Sequence, residues 1–182
     1  MPRYVALFRG INVGKAKRIA MADLRKLLEK LGYTDVKTLL NSGNAIFTGG
    51  RGAASSHAER IRAAVAKRLG VDAVVVVKSA AEVAGIMADD ELGRLASEPA
   101  RLLVAVTVDP AALACLKPLA ARAWGNEKVR VGRHAAYIWC ADGILESQAL
   151  TAVMKGLAGA GTTRNWATFG KIHDLLRETD GS

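Results

Sequence analysis

Arg9, Lys15, Lys17 and Arg18 crowd into one short segment, LFRGINVGKAKRI at residues 7–19, beside Gly10, Gly14 and Asn12. Cations on a glycine-bearing loop suit the binding of an anion. Ammonium and guanidinium groups supply charge, and glycine lets backbone N–H groups turn toward a ligand. The segment is not a Walker phosphate loop. That pattern needs four residues between its glycines and a hydroxyl residue after the lysine. Here three residues separate Gly10 from Gly14, and Ala16 follows Lys15. The ordinary alternative is a structural loop whose Ile11 and Val13 pack beneath a sheet edge.

Asn41-Ser42-Gly43-Asn44 is turn chemistry: Asn and Gly tolerate positive φ, and Ser and Asn bond back to the backbone. Ser42 lacks a GxSxG setting, so it reads as a turn former rather than a nucleophile. In TTRNWATFGKI, residues 162–172, Thr163 is expected to cap a helix and to leave Arg164 and Asn165 in its first turn, where free N–H groups attract anions. An ion pair between Arg164 and a distant acid is the competing reading. His57, expected in a solvated loop, His134 in a turn and His173 beside the core have no metal-ligand spacing, so neither metal nor cofactor is expected. Cys115 and Cys140 sit among apolar neighbours and read as two buried free thiols. Asp89-Asp90-Glu91 reads as a solvated linker, which leaves no paired carboxylates for acid–base work.

These groups need elements to place them. Residues 3–9 read as a strand, and Met21, Leu24, Leu27, Leu28 and Leu31 have helical spacing ended by Gly32. Residues 36–40 and 45–48 form a hairpin around the turn. Ser56 and Glu59 suggest a capping box for a helix to Leu69, and residues 73–77 read as a buried strand. The order β-α-β-β-α-β then recurs: strand 101–108, a helix capped by Asp109 with Pro110 in its first turn, strands 128–132 and 135–140, a helix capped by Ser147, a short strand at 161–163 and a last helix over 164–177. Between the two, Ser79 and Glu82 open a helix to about Met87 and residues 88–100 read as a linker. The fold class is therefore α+β, two tandem ferredoxin-like units (βαββαβ) with an additional C-terminal helix. The expected boundaries are 1–78, a helical linker 79–100, and 101–182. In that topology the loop 9–20, the turn 41–44 and residues 70–72 fall at one end of the first sheet.

The net charge of +9 is uneven. Residues 1–78 hold fifteen Lys/Arg against five Asp/Glu, and the rest holds eleven against twelve, so the excess lies wholly in the first unit. That asymmetry points to an anionic partner. A small anionic molecule comes first and nucleic acid second. Base stacking on Tyr4, Phe8 and Phe47 is disfavoured because these strands are apolar on both faces and read as covered. No apolar run is long enough to span a bilayer and no signal-peptide pattern follows Met1, which leads to the expectation of a cytoplasmic protein with no membrane partner. The oligomeric state is not encoded in any of these features.

YVALFRGINVG, MADLRKLLEKLGYTDVKT, LNSGNAIF and TTRNWATFGKI, in that order, resemble the uncharacterised bacterial family called domain of unknown function 1697. The resemblance implies two tandem ferredoxin-like units and carries no activity with it. The family's usual second glycine is Lys15 here, and the second Asn of its RNWNT-like motif is Ala167. The combined expectation is an anion-binding protein whose site draws charge from Arg9, Lys15, Lys17 and Arg18 and hydrogen bonds from Asn12, Gly14, Asn41, Ser42, Gly43 and Asn44. Arg164 and Asn165 stand in second rank. Catalysis on a small anionic substrate, nucleic-acid binding and a structural or docking role are the alternatives.

Overall fold

In a computed structural model of the chain, which describes residues 1–89, 92 and 97–178, the elements form an α+β protein with two four-stranded antiparallel sheets. Packing divides the chain into two compact units, Met1–Ala81 with Ile172–Ser182, and Glu82–Lys171. Of the expected linker, residues 90, 91 and 93–96 lie outside the described residues.

The first unit runs β1 (Arg3–Phe8), α1 (Met21–Lys30), β2 (Thr34–Leu39), β3 (Asn44–Thr48), α2 (Ala54–Leu69) and β4 (Val75–Ser79). Its strands lie in the order β2-β3-β1-β4. Alternation selects the face that the helices cover: Tyr4, Ala6 and Phe8 of β1, Ala45 and Phe47 of β3, and Val75 and Val77 of β4. Leu24, Leu27 and Leu28 of α1 and Ile61 and Val65 of α2 close over them. Val5, Leu7, Ile46 and Val76 on the opposite face are buried as well. None of the strand aromatics is left for a base to stack on.

Helix α1 stops where the sequence says it should. Gly32 takes φ +85°, its N–H bonds Glu29 O, and Tyr33 N–H bonds Leu28 O, the paired bonds of a Schellman ending. The start of α2 departs from expectation. The helix begins at Ala54 behind Ala53 with no side-chain cap, so Ser56 lies inside the first turn and no capping box forms. His57 is consequently a buried residue of α2 rather than a loop residue. Its Nε2–H donates to Gly50 O at 3.2 Å, which leaves Nδ1 to accept from the Tyr33 hydroxyl at 2.9 Å. Tyr4, Tyr33 and Phe47 surround the ring.

The second unit has its own four-stranded antiparallel sheet. Between α3 (Ala80–Ala88) and β5 (Leu102–Thr107) Asp89 is no solvated linker residue: its carboxylate pairs with Arg130 Nη2 at 3.0 Å. Asp109 accepts from Ala111 N–H as expected, but the helix it caps is a 3-10 turn, Pro110–Leu116, running into the short α4 (Lys117–Ala120). β6 (Lys128–Val131), β7 (Ala136–Trp139), α5 (Gln148–Leu157) and β8 (Gly161–Asn165) follow, and then α6 (Trp166–Arg177), whose residues from Ile172 belong to the first unit. The sheet order is β6-β7-β5-β8, the same permutation as in the first unit. Ser147 caps α5 through Leu150 N–H. Cys140 is buried, whereas Cys115 is exposed; both are free thiols. His134 lies against Gly85 of α3, where a Cβ would come 3.0 Å from the ring.

Gly43 is the position the first unit tolerates least well being changed. It holds φ +89°, and a Cβ there would fall 2.5 Å from Ile11 Cδ1 and 2.9 Å from Phe8 Cβ. Gly43→Ala combines left-handed strain with overpacking, so urea denaturation should show a loss of about 2–4 kcal/mol. Gly70→Ala, also left-handed but in open space, should lose only about 1 kcal/mol. Equal losses at both positions would show that contact with Ile11 adds nothing.

Candidate functional site: the loop and turn at one end of the first sheet

Antiparallel pairing of β1 with β3 and β4 brings the end of β1, the β2–β3 turn and the start of β4 together. Phe8 N–H bonds Gly43 O at 2.9 Å, and Arg9 N–H bonds Val74 O at 2.9 Å. The loop after β1 then folds back on itself, with Asn12 N–H donating to Lys17 O at 3.0 Å. Left-handed φ values at Gly10, Asn12, Gly14 and Lys17 make that reversal possible. Two of these residues are not glycine, and a bulky side chain at positive φ is uncommon.

Asn12 is the clasp. Its Nδ2 donates to Ile19 O at 2.9 Å and to Asn41 O at 2.8 Å, and its Oδ1 accepts from Ile19 N–H at 2.8 Å. One amide thus closes the loop and ties it to the turn. Ile11, 1% exposed, inserts beneath Gly43. Val13 does not share that role, since it is 70% exposed.

The result is a cleft of about 280 Å³ lined by Asn12, Arg18, Ile19, Ala20, Met21 and Asn41. Lys15 and Lys17 are exposed on the same loop. Lys17 is close enough to Asp72 to help hold its carboxyl below the usual range, behind the larger effect of the hydrogen bond and charge of Arg62. Among the described residues no protein group accepts from the amides of Val13 to Arg18. The cleft also contains the N-terminus of α1. Ala20 occupies the cap position and offers no side-chain acceptor, so among the described residues the Met21 and Ala22 amides have no protein partner. No sequence motif singled out this terminus. The available signal was negative, an Ala where Ser, Thr, Asp or Asn usually precedes a periodic apolar run.

Other expected residues are placed differently. Arg9 is half-buried and already engaged, so it is not a free cation. Ser42 is exposed, and its hydroxyl accepts from Asn44 Nδ2 at 3.2 Å. Asn44 is fully buried as the first residue of β3, and its side chain also donates to Leu39 O at 2.7 Å. It braces the turn from inside. Gly43 is buried too. The left-handed residues of the turn are Leu40 and Gly43, not the asparagines.

Arg164 and Asn165 lie in the second unit. Thr163 caps nothing; it is a residue of β8, and Asn165 provides the cap by accepting from Thr168 N–H at 2.8 Å. The strand runs two residues farther than its sequence suggests because Leu103 and Val104 pair with Asn165 and Arg164. Arg164 is 9% exposed and donates to Thr162 Oγ1 at 3.0 Å and to Thr163 O at 2.8 Å. Burial pulls its pKa down to about 10, so it remains charged at neutral pH.

A family model described as "Protein of unknown function (DUF1697)" matches residues 1–137. The chain belongs to this family. The DUF1697 match includes every residue of the loop, the turn and the α1 N-terminus, and it ends ahead of the 162–172 motif. Among solved structures, a conserved bacterial protein from Streptococcus pneumoniae is similar, with a TM-score of 0.78 and 22% identity over 97% of this chain and 99% of that one. That likeness concerns the fold. No curated protein matches the chain.

Asn12→Ala removes three hydrogen bonds and leaves the Ile19 backbone groups without their partner. Hydrogen exchange should accelerate at Asn12 and Ile19, and stability should fall by about 1–3 kcal/mol. Unchanged exchange at these amides would mean that the loop is held by other contacts.

Proposed function

We propose that the protein binds a small phosphorylated or otherwise anionic molecule at this end of its first unit, and that each unit is a ferredoxin-like plait. The plait reading rests on the element order β-α-β-β-α-β and on the same strand permutation in both sheets. The binding reading rests on one observation above the rest: the uncapped N-terminus of α1 opens into a cleft shared with Arg18. Amides without a protein partner and the helix dipole favour negative charge there, and Arg18 can add a forked, charge-assisted contact. Lys15 and Lys17 raise the local potential.

A binding role fits the cleft better than catalysis. Its lining residues supply amide and guanidinium groups but no carboxylate, imidazole or thiol, so general acid–base or nucleophilic chemistry has no donor in the wall. The two free thiols and the lack of any described helix long and apolar enough to cross a membrane accord with a cytoplasmic setting.

The probes are inorganic phosphate and a simple sugar phosphate. At ten times its dissociation constant, either should raise the melting temperature by about 3–6 °C. Arg18→Ala should remove most of that shift while leaving the unliganded melting temperature unchanged, since the Arg18 side chain is exposed. A shift retained in full by the variant would reject the site, as would no shift with either probe.

A further inference from the structure

Helices α1 and α2 pack side by side, and the groove between them is basic. Lys26 and Lys30 of α1 face Lys67 and Arg68 of α2 across an open depression of about 500 Å³ floored by Leu27 and Leu69. Among the described residues Asp23 is the only acid on its wall. Two neighbouring acids are occupied: Glu29 pairs with Arg25 at 2.9 Å, and Asp72 with Arg62 at 2.9 Å. Among the described residues, none of the four groove cations has an ion-pair partner.

Helix dipoles account for part of this. Lys30 lies in the last turn of α1, and Lys67 and Arg68 lie in the last turn of α2, where cations are favoured. The dipole does not account for Lys26, which stands one turn from Lys30, where like charges repel. Nor does it explain why two helices direct four cations into one groove.

We infer that this groove binds the phosphodiester backbone of a nucleic acid without reading its sequence. The four side chains are exposed, so each holds a phosphate weakly. Weak contacts add along a polymer, whereas a small ligand requires fixed donors in an enclosed site. A nucleic acid carries a charge on every nucleotide whatever its sequence, whereas a peptide does so only where its sequence is acidic, and a groove that reads no sequence suits the former. No aromatic side chain lines the groove, and Tyr4, Phe8 and Phe47 of the sheet are buried, so bases have no stacking platform. Contact is therefore led by phosphate. The groove shares no lining residue with the α1 N-terminal cleft, so the two sites stand or fall separately.

The test is fluorescence anisotropy with a labelled, mixed-sequence single-stranded oligonucleotide across a salt series. Four phosphate contacts give a slope of about −2.8 in log affinity against log salt, a loss of about 50-fold between about 50 and 200 mM. Lys67→Ala with Arg68→Ala, or Lys26→Ala with Lys30→Ala, should each reduce the slope to about −1.4 and weaken binding at low salt. Circular dichroism on both exposed double variants confirms that they are folded. Absence of binding at low salt overturns the inference, and so does a slope unchanged in both folded variants. Loss of binding in Lys17→Ala/Arg18→Ala alone would place the polymer on the loop instead. Competition by polyglutamate as strong as by unlabelled oligonucleotide would assign the groove to acidic peptides.

Discussion

The close approach of Gly43 to Ile11 is the constraint on which the end of the first sheet depends. The β2–β3 turn can lie flat on the loop after β1 only because position 43 has no Cβ and accepts a left-handed backbone. With that approach in place, Phe8 N–H reaches Gly43 O, and the Asn12 side chain reaches Asn41 O. A buried apolar contact sets the distance, and a polar clasp then fixes the direction. Neither is a ligand group, yet together they decide where the cations of residues 15–18 stand.

Magnitudes separate the charges that matter from those that do not. An exposed lysine near another exposed charge contributes at most about 1 kcal/mol and is screened by salt. Lys15 and Lys17 alone would therefore not make a site. Fixed amides at a helix start differ, because their orientation is set by the helix at no further cost in order. In the proposed anion site, groups that look alike in sequence would take different roles: the α1 terminus would provide direction, Arg18 a fork, and the lysines a diffuse potential. The same reasoning makes the α1–α2 groove a poor place for one phosphate and a reasonable one for many.

The α+β organisation was legible because it rests on strong local signals: period-two apolar strands, the Leu24–Leu27–Leu28 stripe, and Gly32 and Gly70 at helix ends. The caps at Asp109 and Ser147 were legible for the same reason. What failed were assignments in which tertiary pairing outweighs local chemistry. Ser56 has the right neighbour for a capping box, but the helix starts earlier. Thr163 could cap a helix, but pairing with β5 draws residues 163–165 into a strand. His57 looked solvated because its run of small and polar neighbours conceals an aromatic pocket built from Tyr4, Tyr33 and Phe47. Within the candidate site, sequence identified the loop and the turn. It could not tell that Asn44 faces inward, that Arg9 is engaged, or that an alanine before α1 leaves amides open.

Titration of the isotope-labelled protein with inorganic phosphate, followed by amide chemical shifts, probes the arrangement directly. If loop, turn and helix start form one anion cradle, the amides of residues 13–22 and of Asn41 and Ser42 move together along a single saturating curve. Shifts confined to the lysine-rich faces of α1 and α2, growing linearly with phosphate and leaving Met21 and Ala22 unmoved, would contradict it.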